Sequence, residues 1–329
     1  MAKMGVQKQR EADRGLVGAL REGRFRNQSL FLLLVIVVIS IFISITNVQF
    51  ISSRNILNIL QQISVTGIVT IGMGMVLISG GIDLSVGAMI SLTCAVVAKL
   101  IVSDVNLWVA APIGLAVATL CGFTNGLIIS KTRCAPFIIT LGMLSVYQGI
   151  ALVVTRGRIV NLGGQFDFMG RPLFSIIPAY VLVFLAICVI FYVILNYSRY
   201  GRRIYAMGGN EEATYLSGIK VDNYKLRVYS LNGLVVGIAA LVLLSRLGSA
   251  NPVMGNGYEL QSIAAAVIGG TTLDGGRGSV IGCFLGVLLL GIISNSLNIL
   301  GVSPFYQNIV LGVIIVFAVV MSNLGRGKR

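Results

Sequence analysis

Apolar runs about 20 residues long recur between Leu30 and Met321, separated by short polar or glycine-rich breaks. An α-helix of that length crosses roughly 30 Å of hydrocarbon. The pattern predicts ten hydrophobic spans, at roughly 29–48, 63–80, 85–102, 107–130, 135–155, 176–196, 228–248, 258–271, 279–298 and 304–323. The short alternating strands of a membrane barrel are missing. The expected fold is an all-α integral membrane protein with about ten transmembrane helices, some of them short or broken.

The breaks carry the acidic residues nearest the apolar spans. One reads Ser79-Gly80-Gly81-Ile82-Asp83-Leu84-Ser85-Val86-Gly87, and the other runs from Gly269 to Gly278 through Asp274. Each places an aspartate among glycines before an apolar helix, which hints at an internal duplication of the kind transporters use. Glycines there permit backbone geometry that other residues resist. A carboxylate at mid-membrane costs about 2.5 to 3.5 kcal/mol on insertion scales, so such residues have a purpose. Gly81, Asp83, Ser85, Gly87, Glu259 and Asp274 are therefore candidates for breaking or gating helices. Capping a helix, orienting a break or pairing with Arg246 or Arg277 is favoured for the acids over direct contact with a solute.

Composition agrees with the pattern. At 56% hydrophobic and 11% charged residues, with mean hydropathy +0.92, the chain has too little polar surface to coat a soluble globule. The run from Leu30 to Ile45 follows a charged arm and meets no small-residue cleavage site before Asn47, so it reads as a retained helix. The net charge is +14, and its distribution sets the orientation. With the N-terminus inside, inner segments collect 19 Lys and Arg and outer ones only 6, which places both termini in the cytoplasm. The expected organisation is a basic cytoplasmic arm at 1–28, a transmembrane domain at 29–323 with a cytoplasmic loop at 197–227, and a tail at 324–329. The arm reads as an anchor on anionic membrane lipid, and nucleic acid is not an expected partner.

Chemistry for catalysis is scarce. The chain has no histidine, hence no H-E-x-x-H zinc site and no Ser-His pair. It also lacks the G-x-x-x-x-G-K-[ST] loop that wraps nucleotide phosphates. Asp83 and Asp274 are formally available as an aspartyl pair, but nothing in the sequence makes them converge. The five cysteines are an odd set, expected to be buried thiols. No catalytic residue, metal site or cofactor is expected. Uncharged polar residues are instead scattered through the spans, and Asn58, Gln61, Gln62, Thr140, Tyr147, Gln148 and Asn232 are candidates for lining a solute path. The competing role for each is hydrogen-bonded glue between helices.

The longest hydrophilic connection, Tyr197 to Arg227, holds a short amphipathic helix. Asn210 is its expected N-cap, Glu211 and Glu212 suit the positive end of its dipole, and Gly218 stops it. A helix this short does not hold in water alone. Its apolar residues Ala213, Tyr215, Leu216 and Ile219 give a partner a face to grip, against the alternative of lying on lipid headgroups.

At four motifs the resemblance to a family is specific. These are Asn55 to Gln62, Ser79 to Gly87, Gly208 to Ala213, and Gly257-Tyr258-Glu259-Leu260 with Gly269-Gly270-Thr271. In that order, over nearly everything after the arm, the chain resembles the permease subunit of bacterial ATP-driven monosaccharide importers, of the ribose-type branch. The resemblance implies a homodimer of permease copies in the bacterial inner membrane. It further implies a separate cytoplasmic ATP-binding subunit that hydrolyses ATP, and a periplasmic or lipid-anchored sugar-binding protein. It assigns Gly209, Asn210, Glu211, Glu212, Ala213, Leu216 and Gly218 to the helix that couples to the ATPase. The chain departs from the pattern in its longer basic arm and in Glu212, where a small residue is frequent. The other function class to carry is a stand-alone secondary transporter or channel for a small neutral solute. The large loop and the scarcity of ionisable groups in the spans weigh against it.

Overall fold

The computed structural model describes residues 29–167, 169, 172–173, 177–303, 305–307, 309–310, 312–314, 316 and 320. The arm 1–28, Arg171, the tail 324–329 and much of the span expected at 304–323 lie outside the described residues. The chain is helical nearly throughout. The membrane-length helices are α1 (Ser29–Thr46), α2 (Ser53–Ile78), α4 (Leu107–Thr132), α5 (Pro136–Thr155), α6 (Ala179–Tyr197), α9 (Val221–Leu247) and α11 (Val280–Ile299). Between them lie the shorter apolar helices α3 (Val86–Val102) and α10 (Tyr258–Ile268), and the polar helices α7 (Arg199–Gly209) and α8 (Glu211–Leu216). A 3-10 turn at Val48–Ile51 and two antiparallel pairs of two-residue strands accompany these helices. Val160–Asn161 pairs with Ser249–Ala250, and Pro172–Leu173 pairs with Ile177–Pro178.

Three expected spans change length. The one placed at 63–80 begins at Ser53, where the Ser52 hydroxyl accepts the Asn55 N–H at 3.3 Å. Asn58, Gln61 and Gln62 dilute the hydropathy of its first turns without breaking the helix. The span placed at 228–248 begins at Val221, ahead of the charged residues Asp222, Lys225 and Arg227. The span placed at 258–271 shrinks to 11 residues, about 16 Å, which is half a bilayer core.

Burial sorts the helices. In α2 and α9, 78% of the most apolar window is buried, against 17% in α1 and α5, so the first two are the centre and the second two present their apolar faces outward, as lipid requires. Helices α4 and α9 approach through small residues. A β-carbon on Gly122 would sit 3.0 Å from the α-carbon of Gly233, and one on Gly233 would collide with the Ala118 carbonyl. Asn55 near the start of α2 and Asn295 in α11 exchange two side-chain hydrogen bonds, at 3.0 and 2.9 Å, in a buried setting.

The cysteines need one correction. Cys94, Cys121 and Cys283 are buried and Cys188 is half-buried, but Cys134 is exposed. It lies in the turn after α4, which ends when Arg133 enters the left-handed region at φ 54°.

Candidate functional site

The two glycine-rich breaks meet at one point. The first separates α2 from α3 and the second separates α10 from α11. The Gly276 N–H donates to the carbonyl of Ile78, the last residue of α2, at 2.9 Å. A β-carbon on Gly275 would lie 2.8 Å from the α-carbon of Gly80. The end of α7 is wedged against both. A β-carbon on Gly208 would collide with the Ile78 carbonyl and lie 2.6 Å from the Gly276 nitrogen. The Tyr205 hydroxyl donates to the Gly278 carbonyl at 2.8 Å. Backbone packed against backbone leaves no flexible side chain between α7 and the two breaks.

Helix α8 follows directly. Asn210 is extended, at φ −160° and ψ 105°, which turns the chain between the two helices. Its Oδ1 accepts the Ala213 N–H at 2.8 Å, supplying one of the bonds that a helix start leaves open. Glu211 and Glu212 stand in the first turn, and Gly218 at φ 79° ends the segment. Thr214 points inward and is buried, whereas Tyr215 is 65% and Leu216 77% exposed. Gly209, Glu212 and Ala213 are exposed too. The Lys225 ammonium reaches Glu211 Oε1 at 2.7 Å and fastens α8 to α9. Beneath it Tyr200 stacks on Tyr224 with ring centres 5.5 Å apart, and burial raises the Tyr200 phenol above its ordinary pKa.

Asp83, in the first break, has no exposed surface. Its Oδ1 accepts from the Ser85 N–H at 3.0 Å, the Ser85 hydroxyl at 2.6 Å and Asn125 Nδ2 at 3.4 Å. Its Oδ2 accepts from Asn232 Nδ2 at 3.0 Å. The Tyr147 hydroxyl lies 2.9 Å from Asn125 Oδ1 and 2.8 Å from the Cys121 carbonyl. The neighbouring Ile82 carbonyl accepts from Thr140 and Tyr229, each at 3.2 Å. Of the structural roles expected for the acids, pairing with Arg246 or Arg277 is not the one Asp83 takes, since its partners are neutral donors. Four donors on one carboxylate offset the cost of removing it from water. The result pins the first break to α4, α5 and α9.

The other two acids sit differently. Glu259 Oε1 accepts the Gly257 N–H at 3.0 Å, while its buried Oε2 faces Gly87 without a hydrogen-bond partner. Asp274, in the second break, is exposed. The two breaks are alike in sequence and unlike in burial, because only the first is roofed by α4, α5 and α9.

The candidate path residues divide into separate groups. Thr140, Tyr147 and Asn232 belong to the Asp83 cluster, and Gln148 donates to the Pro252 carbonyl at 2.6 Å. Gln62 lines a small cleft with Thr66, Gln261 and Ser294, of about 40 Å³, room for a few waters. Gln61 is half-buried beside it, and Asn58 is exposed one turn earlier on α2. Gln261, Ser294 and Asn125 escaped the sequence reading, since nothing local distinguishes them from the other uncharged polar residues of the spans. The cleft is uncharged and able to both donate and accept hydrogen bonds, as hydroxylated solutes require.

Comparison with known proteins sets these features in a family. The family described as branched-chain amino acid transport system / permease component matches residues 55–319. The ribose import permease protein of Bacillus subtilis (strain 168) is 45% identical over 287 residues, covering 86% of this chain and 89% of its own. Its namesake in Escherichia coli (strain K12) is 44% identical, covering 90% and 93% of the two chains. The D-allose transport system permease protein of the same strain is 39% identical over 88% of this chain and 89% of its own. No solved structure matches the chain. A match across all the described membrane helices after α1, joined to identities of this size over nearly whole chains, shows that the protein belongs to this family of transport permeases.

Proposed function

We propose that the chain is the membrane-spanning subunit of an ATP-binding-cassette importer and that two copies form the path for a monosaccharide, ribose first among candidates. The names of its relatives support a sugar, since they specify ribose and D-allose. In this reading ATP is hydrolysed by a separate cytoplasmic subunit, and the sugar arrives on a periplasmic or lipid-anchored binding protein. Both termini and the α7–α8 segment face the cytoplasm of a bacterial inner membrane, as the charge asymmetry supports.

The observation that carries the proposal is the seating of α8. Its exposed Tyr215 and Leu216 offer a grip, and Gly208, three residues before its first turn, touches both glycine breaks. Closing of the ATPases on nucleotide pushes α8, α7 transmits the push, and the breaks shift α2, α3, α10 and α11 together. The Gln62 cleft lies among α2, α10 and α11, so its access changes with that motion. An importer of this kind leaves recognition to the binding protein, and weak contacts in the path let the solute leave.

The test is reconstitution of the permease with its ATPase in proteoliposomes. Hydrolysis is measured with binding protein that is empty, ribose-loaded or allose-loaded. Stimulation by the ribose-loaded form supports the proposal, and uptake driven by an ion gradient without ATPase contradicts it.

A further inference from the structure

Beside α8, Arg203 of α7, Lys220 at the start of α9 and Arg227 of α9 line a pocket of about 240 Å³. Tyr224 forms part of its wall and organises the cations. The guanidinium carbons of Arg203 and Arg227 stand 5.6 and 5.8 Å from the centre of its ring. Arg203 also donates to the Tyr224 hydroxyl, and the ring itself is buried against Tyr200. Two guanidinium groups are thereby gathered around one ring in the wall of the pocket.

No carboxylate lines the pocket, and among the described residues no ion pair neutralises Arg203, Lys220 or Arg227. The pocket also receives the start of α9, a 27-residue helix whose N-cap, Lys220, provides no side-chain cap. The positive end of that helix adds to the three cations, and Asp222 in its first turn is exposed and does not line the pocket. Planar guanidinium forks at a helix N-terminus match the oxygens of phosphate in both charge and geometry.

We propose that this pocket binds a phosphate group. With α8 on the cytoplasmic side, a placement that rests on the functional reading above, the phosphate belongs either to an anionic phospholipid of the inner leaflet or to a soluble phosphate ester. Because residues 218 to 220 link α8 to α9, an occupied pocket braces the turn behind α8.

The test uses the purified full chain in detergent without any partner, so its outcome is independent of whether α8 docks an ATPase. One arm follows retention of phosphatidylglycerol against phosphatidylcholine by native mass spectrometry. The other titrates inorganic phosphate and glycerol 3-phosphate calorimetrically. Wild type is expected to bind in at least one arm. R203Q/R227Q weakens that binding at least tenfold, and R246Q, at the other end of α9, leaves it unchanged. K220Q, at an exposed position, weakens it severalfold and stands in if the double variant does not fold. Loss confined to phosphatidylglycerol identifies the lipid source, and loss confined to the soluble ligands identifies the ester. Equal binding by wild type and both pocket variants, or binding by none, overturns the proposal.

Discussion

The carbonyl oxygen of Ile78 and the α-carbon of Gly208 pack with no room for a β-carbon between them. Ile78 ends α2, a helix at the centre of the bundle, and Gly208 stands in the last turn of α7, directly before α8. One contact therefore joins the exposed short helix to the core. Gly276 joins the same point through its hydrogen bond to Ile78, so the second break moves with the first.

Replacing Gly208 with alanine forces these backbones apart. Overpacking of this kind costs about 1–3 kcal/mol. G208A is expected to insert and assemble but to lower sugar uptake at least tenfold, measured in membranes normalised for permease content. Wild-type uptake by G208A would remove the contact from the transmission route.

Asp83 to asparagine keeps the shape of the side chain but swaps an acceptor for a donor. The amide then meets a donor at one of its two ends, Ser85 with Asn125 or Asn232. The expected loss is about 1–3 kcal/mol, the cost of an unsatisfied buried group, read as a lower midpoint in thermal unfolding of the purified protein. Alanine at the same position is expected to destabilise further, because it strands Asn232 Nδ2 and adds a cavity. A D83N protein that melts with wild type would show the network to be slack.

Asn55 and Asn295 allow a cleaner experiment because each bonds the other twice. N55L leaves the Asn295 amide without its partner and removes the 2.8 Å bond from Asn55 Nδ2 to the Phe50 carbonyl, whereas N295L leaves Asn55 with that bond alone; each is expected to cost about 1–3 kcal/mol. The double variant N55L/N295L removes the mutual need of the two amides, leaving only the Phe50 carbonyl without its donor, and is expected to cost less than the two single losses added together. The three thermal midpoints decide it, and simple additivity would mean that the pair does not interact.

The Glu211–Lys225 pair should matter little to folding. Glu211 is 55% exposed, and ion pairs at such positions contribute under about 1 kcal/mol. E211Q is expected to shift the thermal midpoint only slightly, measured at low and high salt. A large shift would mean that α8 is held by this bond and not by Thr214 and the end of α7.

What the sequence made legible follows from the range of the interactions. The cap at Asn210, the stop at Gly218 and the acidic first turn of α8 are all local, and spacing alone places them. The glycine interruptions announced that α10 is too short to cross a membrane. Asp83 stood out as an acid among apolar spans, but its partners Asn125 and Asn232 lie 42 and 149 residues away and carry no local sign of convergence. The meeting of Gly80, Gly208 and Gly276 was hidden for the same reason. Each was visible as a glycine, and only tertiary packing brings the three together. Polar residues that looked equivalent along the spans separate in space, Tyr147 and Asn232 to the Asp83 cluster and Gln62 to the cleft.

The central claim is that α8 is the handle by which an ATPase drives this permease. Its most direct test is purification of tagged wild-type and E211K/L216K chains with the ATPase co-expressed, reading retained ATPase and sugar-stimulated hydrolysis. Leu216 is 77% exposed, so the substitutions leave the core untouched. The account predicts that the variant inserts and elutes like wild type but loses the ATPase. A variant complex that stays whole and hydrolyses ATP at the wild-type rate would contradict it.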